Sequence, residues 1–199
     1  MKAMKRLLCL ALVLSVVFGM TGCNKSRFSQ QAVRKYAEAE DYDEYDDNKE
    51  FYHAVGSFNE EQCSYITATK RDARDLFNTI VYRFEVDRPK YDFTEVTALV
   101  ASGDDGFCII VAATFEDVEE AEKFFKKFPK TVDMENEDKG EEKSYSYFIS
   151  YDDSSYTRTV AYGLYLSGNT VIWLRTASED CEVAEDFCKH FNLISPLEA

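Results

Sequence analysis

The sequence predicts an α+β fold: a mainly antiparallel sheet with helices packed on one face, built from repeated β-hairpin plus helix units. Three observations carry this prediction. Residues 108–128 lie without a gap over residues 171–191, 63 positions on, with nine identities. Each of these stretches begins as a strand-forming apolar run and then changes to helical spacing. Ahead of each stands a second apolar run that can pair with it across a turn.

In chain order, the first segment is a leader. Lys2, Lys5 and Arg6 precede an apolar run from Leu7 to Phe18 that only Ser15 interrupts, the layout of an export signal. These residues would reach about 18 Å as a helix, too short for a hydrocarbon core of roughly 30 Å. Met20, Thr21, Gly22 and Cys23 follow. Small residues ahead of a cysteine admit the chain to a peptidase and leave a thiol to be acylated. This resembles the lipobox of bacterial lipoproteins, with Met20 where leucine is usual. Residues 1–22 are therefore expected to be a lipoprotein signal peptide. Cys23 is expected to carry lipid that holds the chain to the outer face of a membrane, and residues 23–30 to be the lipidated cysteine and its tether.

Residues 31–90 read as an N-terminal helical segment with a possible decayed copy of the repeat. Ala32, Val33, Tyr36 and Ala37 or Ala39 share a helical face between Phe28 and Glu40. Between Glu38 and Glu50 acids dominate, with Lys49 the single base. The order Asp41, Asp43, Tyr45, Asp46 lacks the ligand, glycine and final glutamate of a calcium loop, so a solvated acidic loop is expected. A strand over Ser64–Thr69 precedes a helix carrying Ala73, Leu76, Phe77, Ile80, Val81 and Phe84.

The first repeat occupies residues 91–130. Thr94–Ala101 leads through Ser102–Gly106 into Phe107–Thr114, and Val118, Ala121, Phe125 and Phe128 then recur at helical spacing up to Pro129. The second occupies residues 131–199. Lys130–Lys143 reads as a charged loop and Ser144–Tyr151 as a strand with tyrosines on one face. Tyr156–Leu166 turns at Gly168 and Asn169 into Thr170–Thr176. Cys181, Ala184, Cys188 and Phe191 mark the last helix. Among the identities, Glu116 lies over Glu179, Ala121 over Ala184, Phe124 over Phe187 and Phe128 over Phe191.

Composition limits the chemistry. The formal charge of −14 becomes −17 when the leader's three cations are removed, which disfavours nucleic acid as a partner. Cys63, Cys108, Cys181 and Cys188 form no CxxC. Cys181 and Cys188 on one helix would lie about 10 Å apart, beyond the reach of a disulfide, whereas a Cys63–Cys108 bridge is left open. His53 and His190 have no second histidine at metal-ligand spacing. No HExxH, Walker loop, GxGxxG or GxSxG occurs. No catalytic, metal or cofactor-binding residue is therefore expected, and no cofactor.

The lipobox, the N-terminal helix and helices such as FEDVEEAEKFFKKF and KRDARDLFNTIVYRF after strands resemble uncharacterised envelope lipoproteins of Gram-positive gut bacteria. That resemblance implies location and architecture but no activity. The functional expectation is a membrane-anchored, non-catalytic binding or protein-interaction module, touching the membrane through Cys23 and an envelope protein or glycan through its body. The alternatives are a cell-envelope hydrolase acting through carboxylates and the solute receptor of a transporter.

Overall fold

Strand residues that alternate between two apolar faces make a sheet that must be covered twice. In the computed structural model, which describes residues 27–55, 62–81, 91–103, 106–131, 137–152, 160–177 and 181–197, both faces are covered. The strands are β1 (Asp43–Tyr45), β2 (Gln62–Thr69), β3 (Glu95–Gly103), β4 (Gly106–Thr114), β5 (Glu137–Glu142), β6 (Tyr145–Asp152), β7 (Val160–Ser167) and β8 (Thr170–Thr176). They form one sheet in the order β1-β2-β3-β4-β8-β7-β6-β5. Every pairing is antiparallel except that of β1 with β2. Five helices are described: α1 (Gln30–Ala39), α2 (Asn48–Ala54), α3 (Lys70–Val81), α4 (Val118–Thr131) and α5 (Glu182–Phe191). The α+β class and the mainly antiparallel sheet are as the sequence predicts.

The placement of helices on one face is corrected. Ile109, Val111 and Ala113 of β4 join Phe51, Leu76, Phe77, Phe124 and Phe128 in a core that α2, α3 and α4 cover. Cys108, Ile110 and Ala112 of the same strand join Val33, Tyr36, Phe187 and Phe191 in a second core beneath α1 and α5. The matched phenylalanines thus pack on opposite sides of the sheet.

Register explains this. β4 and β8 are antiparallel, with Ile110 opposite Leu174 and Val111 opposite Trp173. The sequence match lays Ile110 over Trp173, one residue out of step, and a step of one turns a side chain to the other face. A rotation that exchanges two antiparallel neighbours keeps each residue on its own face. Units with their faces exchanged are of opposite hand and do not superpose. The two hairpin–helix segments repeat in pattern but not as one structural unit. The proposed decayed copy also differs, because the strand ahead of β2 pairs with it in parallel rather than as a hairpin.

Several boundaries move for physical reasons. The segment expected to be tether up to residue 30 enters the core at Phe28, which is fully buried. Ser29 caps α1 by accepting a hydrogen bond from the Ala32 N–H at 3.1 Å. The acidic run is not a loop throughout. It holds β1 and then α2, whose cap is Asp47, accepting from Lys49 N–H and Glu50 N–H at 2.8 and 3.1 Å. The charged segment before Lys143 contains β5, an edge strand paired with β6. Backbone pairing needs no apolar side chain, and charges on an edge discourage a further strand from adding. Pro129 lies inside α4. So near the C-terminus it removes only a late backbone bond, and the Thr131 hydroxyl donates to Phe128 C=O at 2.7 Å.

Candidate functional site

The leader and Cys23 lie outside the described residues. Arg27, the first described residue, is fixed to one end of the sheet. Its N–H donates to Ser167 Oγ at 2.8 Å and its guanidinium to Ser144 Oγ at 2.6 Å. The guanidinium carbon also stands 5.5 Å from the centre of the Tyr145 ring, a cation–π distance. Ser167 completes the knot by donating to Ser144 C=O at 2.9 Å. Polar side chains at the ends of β6 and β7 therefore hold Arg27 to that end of the sheet.

Beside this knot lies a concavity. α4 seats against β7 and β8, and the β5–β6 hairpin continues past it at the edge of the sheet. The space left is a groove in two adjoining parts. One, of about 440 Å³, is lined by residues that include Arg27, Glu122, Glu142, Ser144, Ser146 and Ser167. The other, of about 380 Å³, is bounded by Phe125, Lys126, Lys139, Gly140, Tyr147 and Leu166 among others. Both volumes fall in the range of small-ligand sites. Hydroxyls, carboxylates, ammonium groups and the side chains of Tyr145 and Tyr147 give donors and acceptors in mixture. Lys126 pairs with Glu122 at 3.4 Å across one turn of α4.

These groove residues come from α4 and from strands distant in sequence. Spacing along the chain gave no signal for them, because the overhang that creates the groove is a property of strand order. The tyrosine face expected of the strand over Ser144–Tyr151, by contrast, was visible in the sequence. Tyr145 and Tyr165 are buried and hold the C-terminal segment. Tyr165 donates to Ile194 C=O at 2.6 Å, and Tyr145 Oη accepts from Ile194 N–H at 3.1 Å. Burial raises both hydroxyls above the usual tyrosine range, Tyr165 strongly.

The two histidines do not meet. His53 ends α2. His190, in the last turn of α5, sets its ring 5.1 Å from that of Tyr36. Among the described residues no three of His, Cys, Asp and Glu converge as metal ligands, and no helix is long and apolar enough to cross a membrane.

The cysteines do gather. Cys63, Cys108, Cys181 and Cys188 all belong to or adjoin the second core, and none is in a disulfide. The Cys63–Cys108 bridge left open by the sequence is thus not formed. Cys181, the residue that precedes α5, has its thiol pulled down to about 6, chiefly by the Cys108 side chain, against the opposing effect of burial. The Cys181 side chain and burial drive the Cys108 thiol upward.

Comparison with family models, curated proteins and solved structures gives no match.

Proposed function

We propose that the chain is an extracytoplasmic lipoprotein, held to the outer face of a membrane by lipid on Cys23, and that its body is a non-catalytic binding module. The observation that carries this reading is the leader: three cations, an apolar run too short to span a bilayer, then Gly22 and Cys23. Two acyl chains on one cysteine anchor stably, at about 0.8 kcal/mol per buried CH₂, where one chain is marginal. The groove between α4 and the β5–β6 hairpin supports the binding half of the proposal. Its mixed donors and acceptors around Tyr147 suit a glycan or a polar peptide of the envelope rather than an apolar small molecule.

One experiment addresses both halves. Wild-type protein is expected in the detergent phase of a temperature-induced partition, and Cys23→Ala in the aqueous phase. A photo-crosslinker at position 147 is expected to capture an envelope partner in cells from the wild type and to lose it in Cys23→Ala. Detergent partitioning of the variant overturns the anchor; no capture above a crosslinker at exposed Lys35 overturns the groove. One feature favours the hydrolase alternative. Glu122 and Glu141 line the same groove, and paired carboxylates in a cleft are what glycoside hydrolysis uses. Turnover of cell-wall glycan that Glu122→Gln abolishes would replace the binding module with that enzyme.

A further inference from the structure

We propose that Arg175 anchors a second binding site, one that takes a monocarboxylate at the end of β8 away from the groove. Tyr162 on β7 and Ile109 on β4 stand directly opposite Arg175, so the three share the sheet face on which Trp173 also lies. The Arg175 guanidinium carbon is 5.1 Å from the centre of the Phe107 ring and 5.8 Å from that of Tyr162. These are cation–π distances, to rings on the two strands that flank β8. The Tyr162 ring in turn stands 6.5 Å from that of Trp173. Tyr162 is five residues along β7 from Ser167, about 17 Å of antiparallel strand, which separates this cluster from the groove.

The cluster is rich in donors that the protein itself leaves unmet. In a chain with a formal charge of −14, Arg175 is in none of the ion pairs among the described residues. Its Nε is buried with no hydrogen-bond partner. A second, independent deficit lies two residues away on the same face. Trp173 is 3% exposed, and its indole N–H is likewise buried without an acceptor. Buried donors left unmet are costly, and the arginine fork is shaped to hold a carboxylate by two parallel bonds. Arg175 as a whole is only half-buried, and Nε alone of its nitrogens is closed off and unpartnered. The terminal nitrogens are therefore where an anion arrives. Charge then sets the class of ligand. An acidic body repels a dianion about twice as strongly as a monoanion, which favours a carboxylate over a phosphate. The half-buried Tyr162 ring gives the ligand's carbon body an apolar surface.

Trp173 is the single tryptophan of the chain, so its fluorescence reports on this cluster alone. The test titrates the full chain, in nonionic detergent at constant ionic strength, with acetate, with its uncharged isostere acetamide and with inorganic phosphate. Acetate is expected to shift the Trp173 emission with half-saturation at about 1–10 mM. Acetamide is expected to give no saturable change, and phosphate to saturate only at higher concentrations than acetate. Arg175→Gln is expected to abolish the acetate response, and Arg175→Lys, which keeps the charge but loses the fork, to weaken it about tenfold. Far-ultraviolet dichroism checks that both variants fold, and the comparison of acetate with acetamide on the wild type stands if either does not. Four results overturn the proposal: no saturable response to acetate, an equal response to acetamide, phosphate saturating at the same or lower concentrations, or an acetate response undiminished in a folded Arg175 variant.

Discussion

At the scale of single residues, Gly163 shows how tightly the second core is drawn. A Cβ built there would lie 2.7 Å from Tyr165 Cζ, and that ring cannot retreat because it is fully buried and its hydroxyl holds Ile194 C=O. Gly140 looks similar, with a Cβ 2.8 Å from Tyr147 Cζ, but Tyr147 is half-buried and borders the open groove. Gly163→Ala is therefore expected to cost about 1–3 kcal/mol, the range of overpacked cores, and Gly140→Ala less than half of that. Urea denaturation of both variants decides it; equal losses would mean that Tyr147 is as rigidly held as Tyr165. The sequence made the tyrosines of β6 and β7 legible as sheet residues, because alternation is a local property. The gathering of Cys108 and Cys181 in one core was not legible, since it depends on which strand becomes the neighbour of β4.

At the scale of elements, helix ends separate what local chemistry decides from what packing decides. Pro129 predicted a stop, yet α4 passes through Pro129, while α5 ends at Phe191. The real stop of α5 is Asn192 in the left-handed region, φ 49 and ψ 51, with Leu193 N–H donating to Cys188 C=O at 2.7 Å. Asparagine tolerates this conformation and glycine adopts it freely, whereas a β-branched residue does not. Asn192→Gly is expected to leave thermal stability unchanged or raised, and Asn192→Val to lower it by about 1–2 kcal/mol. A valine variant as stable as the wild type would show that the turn can be remade another way. Periodicity located α1, α3, α4, α5 and the two hairpins. It missed β5 and α2 because charged residues in an edge strand and a capped short helix carry no apolar period.

At the scale of the whole molecule, covering a sheet on both faces buries many tyrosines together. Tyr36, Tyr42, Tyr65, Tyr145 and Tyr165 all have hydroxyls raised by burial, helped at Tyr65 by a hydrogen bond to the Glu44 carboxylate that brings it to about 12. In the unfolded chain they would ionise near 10.0. Below that pH both states hold these protons and stability is indifferent to them; above it the unfolded state releases protons that the native state keeps, so stability falls. Alkaline unfolding is expected to begin above about pH 10, with tyrosinate absorbance and loss of far-ultraviolet dichroism rising together. Tyrosinate that forms in full while the dichroism is intact would contradict it. The pairing of β4 with β8 also explains why a match of nine identities misled about faces: sequence similarity records strand-then-helix, while handedness is fixed by register, which no residue in either copy encodes alone. Finally, Arg27 stands four residues beyond Cys23, and four peptide units stretch to about 14 Å at most. With fatty chains on Cys23, the domain would be moored by its Ser144–Ser167 end, the end beside which the groove opens. So short a mooring would hold a strongly anionic body close to the bilayer against the repulsion of acidic lipids.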